Sequence, residues 1–195
     1  MLLAGGTARR MGGGDKPLTL LAGRPILAHV IARIAPQVGA LAINANGDPA
    51  RFAAFGYPVI ADRIQGNPGP LAGIHSGMDW AATHHPQATT IVTVPTDLPF
   101  LPIDLVARLQ RAKIDTDADI AVARSDGQSH PVVALWPIEY AAELQRALTQ
   151  EDMRKVTLFA GRHRIVHVDF PTDAIDPFFN INTPDQLRQA QALVE

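Results

Sequence analysis

The chain opens with Met1-Leu2-Leu3-Ala4-Gly5-Gly6-Thr7-Ala8-Arg9-Arg10-Met11-Gly12-Gly13-Gly14-Asp15-Lys16-Pro17. A short apolar run ends at two glycines, after which two arginines, three further glycines and a lysine follow in order. Glycine lets backbone amides approach a ligand closely, and arginine and lysine side chains bind phosphate oxygens. We therefore predict that a short buried strand ends here in a loop that holds a nucleoside triphosphate.

This loop differs from two familiar phosphate-binding motifs. In a Walker loop the lysine directly follows a glycine, and a Ser or Thr comes next to bind magnesium. Here Asp15 stands before Lys16, and Pro17 comes next. The adjacent first glycines also do not fit the GxGxxG pattern of dinucleotide-binding proteins. A plain turn needs neither paired arginines nor a terminal lysine, so we interpret the run as another kind of triphosphate loop.

The composition narrows the class of protein. The 195 residues suffice for one domain with a substantial core, and a formal charge of -2 favours neither nucleic acid nor an anionic membrane as partner. The chain has no cysteine, which excludes disulfides and thiol catalysis and fits a reducing compartment. No apolar run approaches the roughly 20 residues of a membrane span. We expect a cytoplasmic protein with a small anionic ligand.

Strand and helix patterns alternate over the first 112 residues. The strands after the first are predicted at 40–43, 59–61 and 90–94, and the helices at 25–36, around 50–55, at 71–83 and from Pro102. Such alternation is typical of an α/β fold with a mainly parallel central sheet and helices on both faces. We expect a single domain, 1–195, whose nucleotide-binding half is 1–112.

The second half, residues 113–195, has a different pattern. Two apolar runs, 120–123 and 131–136, flank Asp126-Gly127, which predicts a hairpin. The other elements are predicted as helices at 138–148, 151–159 and 183–193, a strand at 164–168 and an extended piece at 178–182. We expect this half to extend the sheet and to bind the acceptor substrate.

Polar residues follow several predicted strands, at the edge where an open α/β sheet binds its ligand. Asp97 lies in a loop between two prolines, and we expect its carboxylate to hold Mg2+ beside substrate phosphates. Lys16 and Arg10 are the cations expected to neutralise and grip those phosphates. From the residues alone, Asn44 and Asp62 either shape turns or contact the nucleotide.

Several motifs agree in type and order with those of a known family. They are Leu3-Ala4-Gly5-Gly6, Arg9-Arg10-Met11-Gly12, Asp15-Lys16, Ile43-Asn44-Ala45-Asn46, Ile60-Ala61-Asp62, Gly69-Pro70-Leu71-Ala72-Gly73, Thr96-Asp97-Leu98-Pro99, His130-Pro131 and Asn180-Ile181-Asn182-Thr183-Pro184. The N-terminal motifs resemble the nucleotidyltransferase signature. The combination resembles the molybdenum cofactor guanylyltransferases, which are MobA-like nucleotidyltransferases, and it covers nearly the whole chain.

The resemblance implies a three-layer Rossmann-like nucleotidyltransferase fold. It also implies transfer of GMP from GTP to Mo-molybdopterin with release of pyrophosphate, catalysed by Lys16, Arg10 and Asp97 with Mg2+ on Asp97. The residues implied to contact GTP are Leu3, Ala4, Gly5, Gly6, Gly12, Lys16, Asn44, Asp62 and Asp97, with the backbone of residues 3–5 reading the base. The residues expected to contact molybdopterin are Arg154, on the predicted helix at 151–159, and Asn180 and Asn182, which share one face of the extended piece.

Other functions stay open from the sequence. The nearest is a cytidylyltransferase that acts on molybdopterin or on a sugar or isoprenoid phosphate. A second is a non-catalytic nucleotide-binding adaptor in molybdoenzyme maturation, and maturation proteins are possible partners in either case. An NAD-binding Rossmann protein is a remoter alternative, because the fingerprint is missing.

The first strand is short. Family members usually carry several apolar residues before the Leu-Ala-Gly-Gly run, whereas this sequence has only Met1 and Leu2 there. Strands usually have about five or six residues. We therefore expect the chain to be less stable than a version extended by the missing strand residues.

Overall fold

A seven-stranded sheet forms the centre of the part of the chain that the computed structural model describes, which is residues 1–5, 15–64, 66, 69–173 and 175–194. Its strands are β1 (Leu2–Leu3), β4 (Ile43–Asn44), β5 (Val59–Ile60), β6 (Thr90–Pro95), β7 (Ile120–Ser125), β8 (Gln128–Pro137) and β9 (Ile165–Phe170). A separate ribbon pairs β2 (Leu20–Leu21) with β3 (Arg24–Pro25). The order in the seven-stranded sheet is β5-β4-β1-β6-β8-β7-β9. Six of these strands run in the same direction, and β8 runs antiparallel to its neighbours β6 and β7.

Helices cover both faces of the sheet. They are α1 (Ile26–Ile34), α2 (Pro70–His84), α3 (Leu105–Asp115), α4 (Ala141–Gln150), α5 (Val156–Ala160) and α6 (Pro184–Val194), with 3-10 turns at Lys16–Leu18, Ala35–Gln37, Pro49–Phe55 and Ile138–Tyr140. One core lies under α1, α3 and α6, and a second lies under α2, α4 and α5. The predicted three-layer α/β fold is therefore confirmed. None of the helices in the described ranges is both long and apolar enough to cross a membrane.

The predicted hairpin joins β7 to β8. Asp126 and Gly127 both have positive φ, 45° and 72°, as a two-residue turn between twisted strands requires. The turn reverses the chain at the edge where the parallel strands end, so the first residues of β8 lie at that edge. His130 is thereby placed near the ends of β6 and β7.

Two predicted elements differ from the structure. The helix predicted at 151–159 begins only at Val156, because Asp152 takes the left-handed φ of 50° and interrupts the helical path after α4. Residues 178–182 form no strand. The backbone N–H of Ile181 donates instead to the carbonyl of Asp97, 3.1 Å away, which ties this segment to a loop rather than to a sheet edge.

The described first strand is short, as expected, and its amino group is buried. Leu2 pairs with Ile43 on one side and Val94 on the other, so β1 lies between β4 and β6 in the middle of the parallel part of the sheet. The Met1 amino group donates to the Val92 carbonyl at 2.7 Å. Burial lowers the pKa of this amino group from its usual 8.0 to about 5.

This buried amine predicts a pH dependence of stability. Between pH 5 and 8 the unfolded chain binds a proton that the folded chain does not, so the free energy of unfolding should rise as the pH increases through that window. The difference between the two pKa values corresponds to at most about 4 kcal/mol. Urea denaturation at a series of pH values measures it.

The control is a chain extended by apolar residues before Met1, which moves the amino group away from Val92. Burial also lowers the pKa of His75 and of His130, so both chains should lose some stability below about pH 6.5. The extended chain should show a flat profile between pH 7 and 8, where the shorter chain still gains stability. Equal slopes there would contradict the assignment to Met1.

Candidate active site

Lys16 is the centre of a polar cluster at the carboxyl edge of the sheet. Its ammonium donates to the Asp97 carboxylate and to the Asn182 side-chain oxygen, with the Asn180 oxygen 3.4 Å away. The side chains of Lys16 and Asp97 are each 15% exposed, so this ion pair is largely withdrawn from water. The fold brings together four residues that the sequence singled out at widely separated positions.

Hydrogen bonds at the start of α6 hold Asn182 in place. The Asn182 N–H donates to Gln186 Oε1 at 2.7 Å, and the Gln186 N–H donates to Thr183 Oγ1 at 3.2 Å. This reciprocal pair caps the start of α6 and is close to a capping box. Gln186 was not among the predicted site residues, although the Thr-x-x-Gln spacing before an apolar helix signals it.

Aromatic packing anchors the segment that leads to Asn180. Phe178 is buried and packs against Phe170 edge to face, with ring centroids 5.4 Å apart, and against His130 at 4.6 Å. The His130 Nε2 is 2.8 Å from Ser125 Oγ. Burial lowers the pKa of His130, against a smaller opposing effect of the Asp176 charge. His130 therefore supports the site by packing as a largely neutral ring.

A second polar cluster follows β4 and β5. The Asp62 carboxylate accepts from Asn44 Nδ2 at 2.9 Å and from Asn46 Nδ2 at 2.8 Å, one bond on each oxygen. Asn46 Oδ1 also accepts from the Asp62 N–H at 2.9 Å. The predicted residues Asn44 and Asp62 are thus in contact. Asn46 belongs to the same cluster but was not predicted as a site residue, although it lies in the quoted Ile-Asn-Ala-Asn motif.

Helix α2 passes close to this cluster because residue 73 is glycine. A Cβ built on Gly73 would stand 2.9 Å from Leu3 Cδ2 and still closer to Asn44 Oδ1. Asn44 is 5% exposed and has little room to retreat. The small residue in the Gly-Pro-Leu-Ala-Gly motif therefore lets α2 pack directly beneath the ends of β1 and β4.

We expect Gly73→Ala to lower both stability and nucleotide affinity, because the new methyl group must displace Asn44. Overpacking of this kind costs about 1–3 kcal/mol, against a gain of up to about 1 kcal/mol from helix propensity. Gly77→Ala on the same helix is the matched control, since the atoms nearest to its Cβ belong to the apolar side chains of Met1 and Ile91, at 3.1–3.2 Å. Thermal melting and GTP titration compare them; equal effects of the two changes would refute the steric argument.

The backbone of residues 3–5 ends the first strand beside these clusters. The Ala4 N–H donates to the Asn44 carbonyl at 2.8 Å, and the Leu3 carbonyl accepts from the Thr96 N–H at 3.3 Å. Both groups are therefore committed to neighbouring strands. Gly5 is exposed, and a Cβ there would meet none of the described atoms within 4 Å. Gly5 is thus the most open backbone of the three.

Some predicted residues lie elsewhere. Gly6, Arg10 and Gly12 are outside the described residues. Arg154 is not on a helix, as the sequence predicted, but on the connection before α5, where its guanidinium pairs with Asp152 at 2.7 Å. Its carbonyl lies 4.0 Å from a Cβ built on Gly69, so this connection touches the start of α2 rather than the Lys16 cluster.

The residues around Lys16 fit a hard divalent cation. Asp97 Oδ1 is buried and has no hydrogen-bond partner among the described residues. Carboxylate and amide oxygens are the ligands that such cations prefer. In the described part of the chain, no group of three or more His, Cys, Asp or Glu side chains is arranged to hold a metal. A metal here would therefore take one carboxylate and complete its shell from substrate phosphates and water, as Mg2+ commonly does.

A cavity of about 430 Å³ lies at the opposite edge of the sheet. Its lining includes Met1, Trp80 and Thr90, which stand at the amino ends of the parallel strands or on the adjoining helix. Of the predicted site residues that lie in the described ranges, none lines it. The chemistry of the strand-end clusters therefore does not extend into this cavity.

The mainly parallel sheet, with a lysine and a carboxylate paired at its carboxyl edge, is that of a nucleotidyltransferase. The model of the MobA-like NTP transferase domain matches residues 1–165, and the chain belongs to that family.

Curated relatives match almost the whole chain. A protein of Rhodopseudomonas palustris (strain BisB5) is 56% identical over 193 residues, which cover 99% of this chain and 92% of the relative. A protein of Bradyrhizobium sp. (strain ORS 278) is 54% identical over 193 residues, which cover 99% and 91%. Both relatives are named molybdenum cofactor guanylyltransferase.

Solved structures share the fold. Molybdopterin-guanine dinucleotide biosynthesis protein A from Archaeoglobus fulgidus superposes with a TM-score of 0.74 at 25% identity, covering 99% of this chain and 96% of that one. A CMP:2-keto-3-deoxy-manno-octonic acid synthetase superposes with a TM-score of 0.67 at 16% identity and covers 99% of this chain and 96% of that one. The second likeness concerns the fold alone.

Proposed function

We propose that this chain transfers GMP from GTP to Mo-molybdopterin, forming the molybdopterin guanine dinucleotide cofactor and pyrophosphate with Mg2+ as the metal. Family membership and the names of relatives at 54–56% identity support the reaction. One observation in the structure carries the proposal. The Lys16 ammonium, the Asp97 carboxylate and two asparagine oxygens converge at the strand-end edge, where α/β sheets bind nucleotides.

The chemistry follows from the charges involved. An oxygen of the pterin's terminal phosphate attacks the α-phosphorus of GTP, and the bond from that phosphorus to the β-bridging oxygen breaks as pyrophosphate leaves in line. A phosphate is already ionised at neutral pH, so the attacking oxygen needs no general base. Catalysis is then positioning and charge stabilisation.

Lys16 is the residue that changes partners in this scheme. In the structure its ammonium is paired with Asp97 and Asn182. When the triphosphate enters, the ammonium turns to the phosphate oxygens and releases the Asp97 carboxylate. Asp97 would then be free to hold Mg2+, which would supply further positive charge beside the α-phosphorus. We assign Arg10, with the backbone of Gly6 and Gly12, to the grip on the triphosphate.

We assign recognition of the base to the second polar cluster, around Asp62. Each oxygen of Asp62 already accepts one bond, and a carboxylate has about four acceptor sites in all. The remaining sites suit the N1 and N2 hydrogens of guanine, or the ribose hydroxyls. Asn44 holds this carboxylate in place, and the open backbone of Gly5, beside Leu3 and Ala4, completes the nucleotide contacts.

The acceptor is assigned to the second half of the chain, residues 113–195 of the single domain. Arg154 is exposed enough to receive a pterin phosphate once it leaves Asp152. Asn180 and Asn182 face Lys16, so they stand where acceptor and nucleotide phosphates meet. The product passes to molybdoenzyme-maturation proteins, and we assign the reaction to the cytoplasm.

The test is pyrophosphate release in the presence of molybdopterin, with GTP, CTP and ATP compared at equal concentration. We expect a preference for GTP of at least about tenfold, since the pairing edge of guanine presents two adjacent donors, N1–H and N2–H, to Asp62, whereas the pairing edges of cytosine and adenine each present one. A preference for CTP would favour the cytidylyltransferase alternative. Absence of turnover with any nucleotide, together with GTP binding, would favour the adaptor.

A further inference from the structure

Arg51 occupies a position between the two halves of the nucleotide site. It lies in the 3-10 turn Pro49–Phe55, between β4 and β5. Its Nη1 donates to Asp15 Oδ1 at 2.5 Å, and its Nη2 donates to the Asn46 carbonyl at 2.6 Å. The guanidinium also lies over the ring of Phe52, with 4.8 Å from Cζ to the centroid. One planar group is thus held by three separate contacts.

The two hydrogen bonds lead to different parts of the site. Asp15 directly precedes Lys16 and starts the 3-10 turn Lys16–Leu18, but its side chain caps nothing there and turns to Arg51 instead. On the other side, the Asn46 side chain makes two hydrogen bonds to Asp62. The path from Asp15 through Arg51 and Asn46 to Asp62 therefore joins the phosphate side to the base side without passing through nucleotide.

Arg51 also neutralises the negative charge of Asp15. A carboxylate beside the lysine of a triphosphate loop repels the ligand unless it is neutralised. The Arg51 and Asp15 side chains are 28% and 32% exposed, so their pairing is screened and adds little to global stability. The planar guanidinium of Arg51 can hold two oxygens in a fixed geometry. This favours a role in positioning the site residues over a role in stabilising the fold.

We propose that Arg51 is a positioning residue that couples base recognition by Asp62 to phosphate placement by Lys16. The inference rests on the proposed function, because it assigns GTP to this site. Arg51 touches neither reacting atoms nor base. It fixes the spacing between the two groups that do, so a nucleotide with the correct base has its α-phosphate in the productive position.

The test compares Arg51→Met with Arg51→Lys and with Arg111→Met. Arg111 is an exposed arginine in a single ion pair with Asp115, at 2.7 Å, and serves as the matched control. Steady-state kinetics with GTP and with ITP, which lacks the guanine 2-amino group, give kcat and KM for each protein. Thermal melting and GTP titration without acceptor are measured alongside.

We expect Arg51→Met to lower kcat/KM for GTP by about ten- to hundredfold, as small misplacements of a bound substrate do. Its preference for GTP over ITP should fall by about tenfold, and its melting temperature should stay close to that of the Arg111→Met control. Arg51→Lys should bind GTP more tightly than Arg51→Met, because its ammonium keeps the positive charge opposite Asp15. It should bind GTP less tightly than the unaltered chain, because one ammonium cannot contact both Asp15 and the Asn46 carbonyl as the guanidinium does.

Two double variants separate the two roles of Arg51, which are neutralising Asp15 and positioning Asp62. Adding Asp15→Asn to Arg51→Met should restore part of the GTP affinity, because no unpaired carboxylate remains. The double variant Arg51→Met/Asp62→Asn should have nearly the same preference for GTP over ITP as the single variant Asp62→Asn. The reason is that both changes interrupt the same path from Arg51 to the base. Fully additive effects on that preference would overturn the coupling.

The outcomes also separate this inference from the proposed function. If the unaltered chain binds GTP and turns it over, while Arg51→Met keeps its KM and its GTP preference, the coupling role is wrong and the function stands. If Arg51→Met merely melts earlier and loses activity with both nucleotides equally, the residue is structural and the inference fails. If the unaltered chain binds no GTP, the proposed function fails and the inference falls with it.

Discussion

Replacement of Asp97 by Asn should slow pyrophosphate release from GTP by about 10²- to 10³-fold, the usual effect of removing one charge-stabilising group from such a site. The change keeps the shape of the side chain but removes the charge to which we assign the metal and which pairs with Lys16. The contact that docks residues 178–182 uses the Asp97 main-chain carbonyl, so the fold should survive. Circular dichroism and a coupled pyrophosphate assay measure the two effects.

Asp104→Asn is the control for Asp97→Asn. Asp104 carries the same charge on an exposed side chain, 4.0 Å from Arg108, and touches none of the site residues. Its replacement should change turnover by less than about twofold, as surface substitutions commonly do. Manganese titration of each variant in the presence of GTP tests the metal assignment separately. Full activity with unchanged manganese affinity in Asp97→Asn would contradict the assignment of the metal to Asp97.

Lys16→Met should lower kcat/KM for GTP by a similar factor, about 10²- to 10³-fold, because an ammonium beside the phosphates is lost in a largely dehydrated site. Methionine keeps the unbranched shape of the side chain. With the ammonium gone, Asp97 loses its partner, so the variant without nucleotide should also bind manganese more readily than the unaltered chain. This rise in metal affinity distinguishes a partner exchange by Lys16 from a role in phosphate binding alone.

Lys113→Met is the matched control, because Lys113 lies in the last turn of α3 and its loss changes the net charge by the same amount. It should leave kcat/KM and manganese affinity within about twofold of the unaltered values. If Lys16→Met retained activity, the phosphate assignment would be wrong. If Lys16→Met lost activity with no change in manganese affinity, the proposal that Lys16 moves from Asp97 to the phosphates would be wrong.

Much of the fold follows from local sequence patterns. The pattern predicts a strand at 90–94, where the residues are β-branched, and the structure has it at Thr90–Pro95. The Asp126-Gly127 pair predicts a hairpin because few other residues accept two positive φ angles in a row. The sheet order was not predictable in the same way. It depends on which strands pack beside β1, and that is decided by the two cores on either face rather than by any local run.

The predicted residues at the centre of the site came from strand ends and motifs, and the structure brings Lys16, Asp97, Asn180 and Asn182 together. The residues that hold these side chains in place were not predicted. Arg51 and Asn46 act through hydrogen bonds across the chain, and neither residue type signals its partner in sequence. The close approach of Gly73 to Asn44 likewise exists only once α2 is packed against the sheet.

The prediction that Arg154 lies on a helix was wrong. The residues from 151 to 159 were interpreted as one helix, which would have placed the basic side chain on a rigid face. The left-handed φ of Asp152 interrupts that helix, and a non-glycine residue gives little warning of such a conformation. Residues 178–182 were predicted as extended and form no strand, yet Asn180 and Asn182 still face Lys16 together.

The most direct test follows the phosphorus atoms of GTP through one turnover. Two samples of GTP, radiolabelled at the α- or at the γ-phosphorus, are incubated with the chain, Mg2+ and molybdopterin, and the products are separated. The account predicts that the α label appears in the pterin dinucleotide and the γ label in pyrophosphate, in equal amounts. Label from the γ position on the pterin, or an α label that stays with free nucleotide while molybdopterin is unchanged, would contradict it.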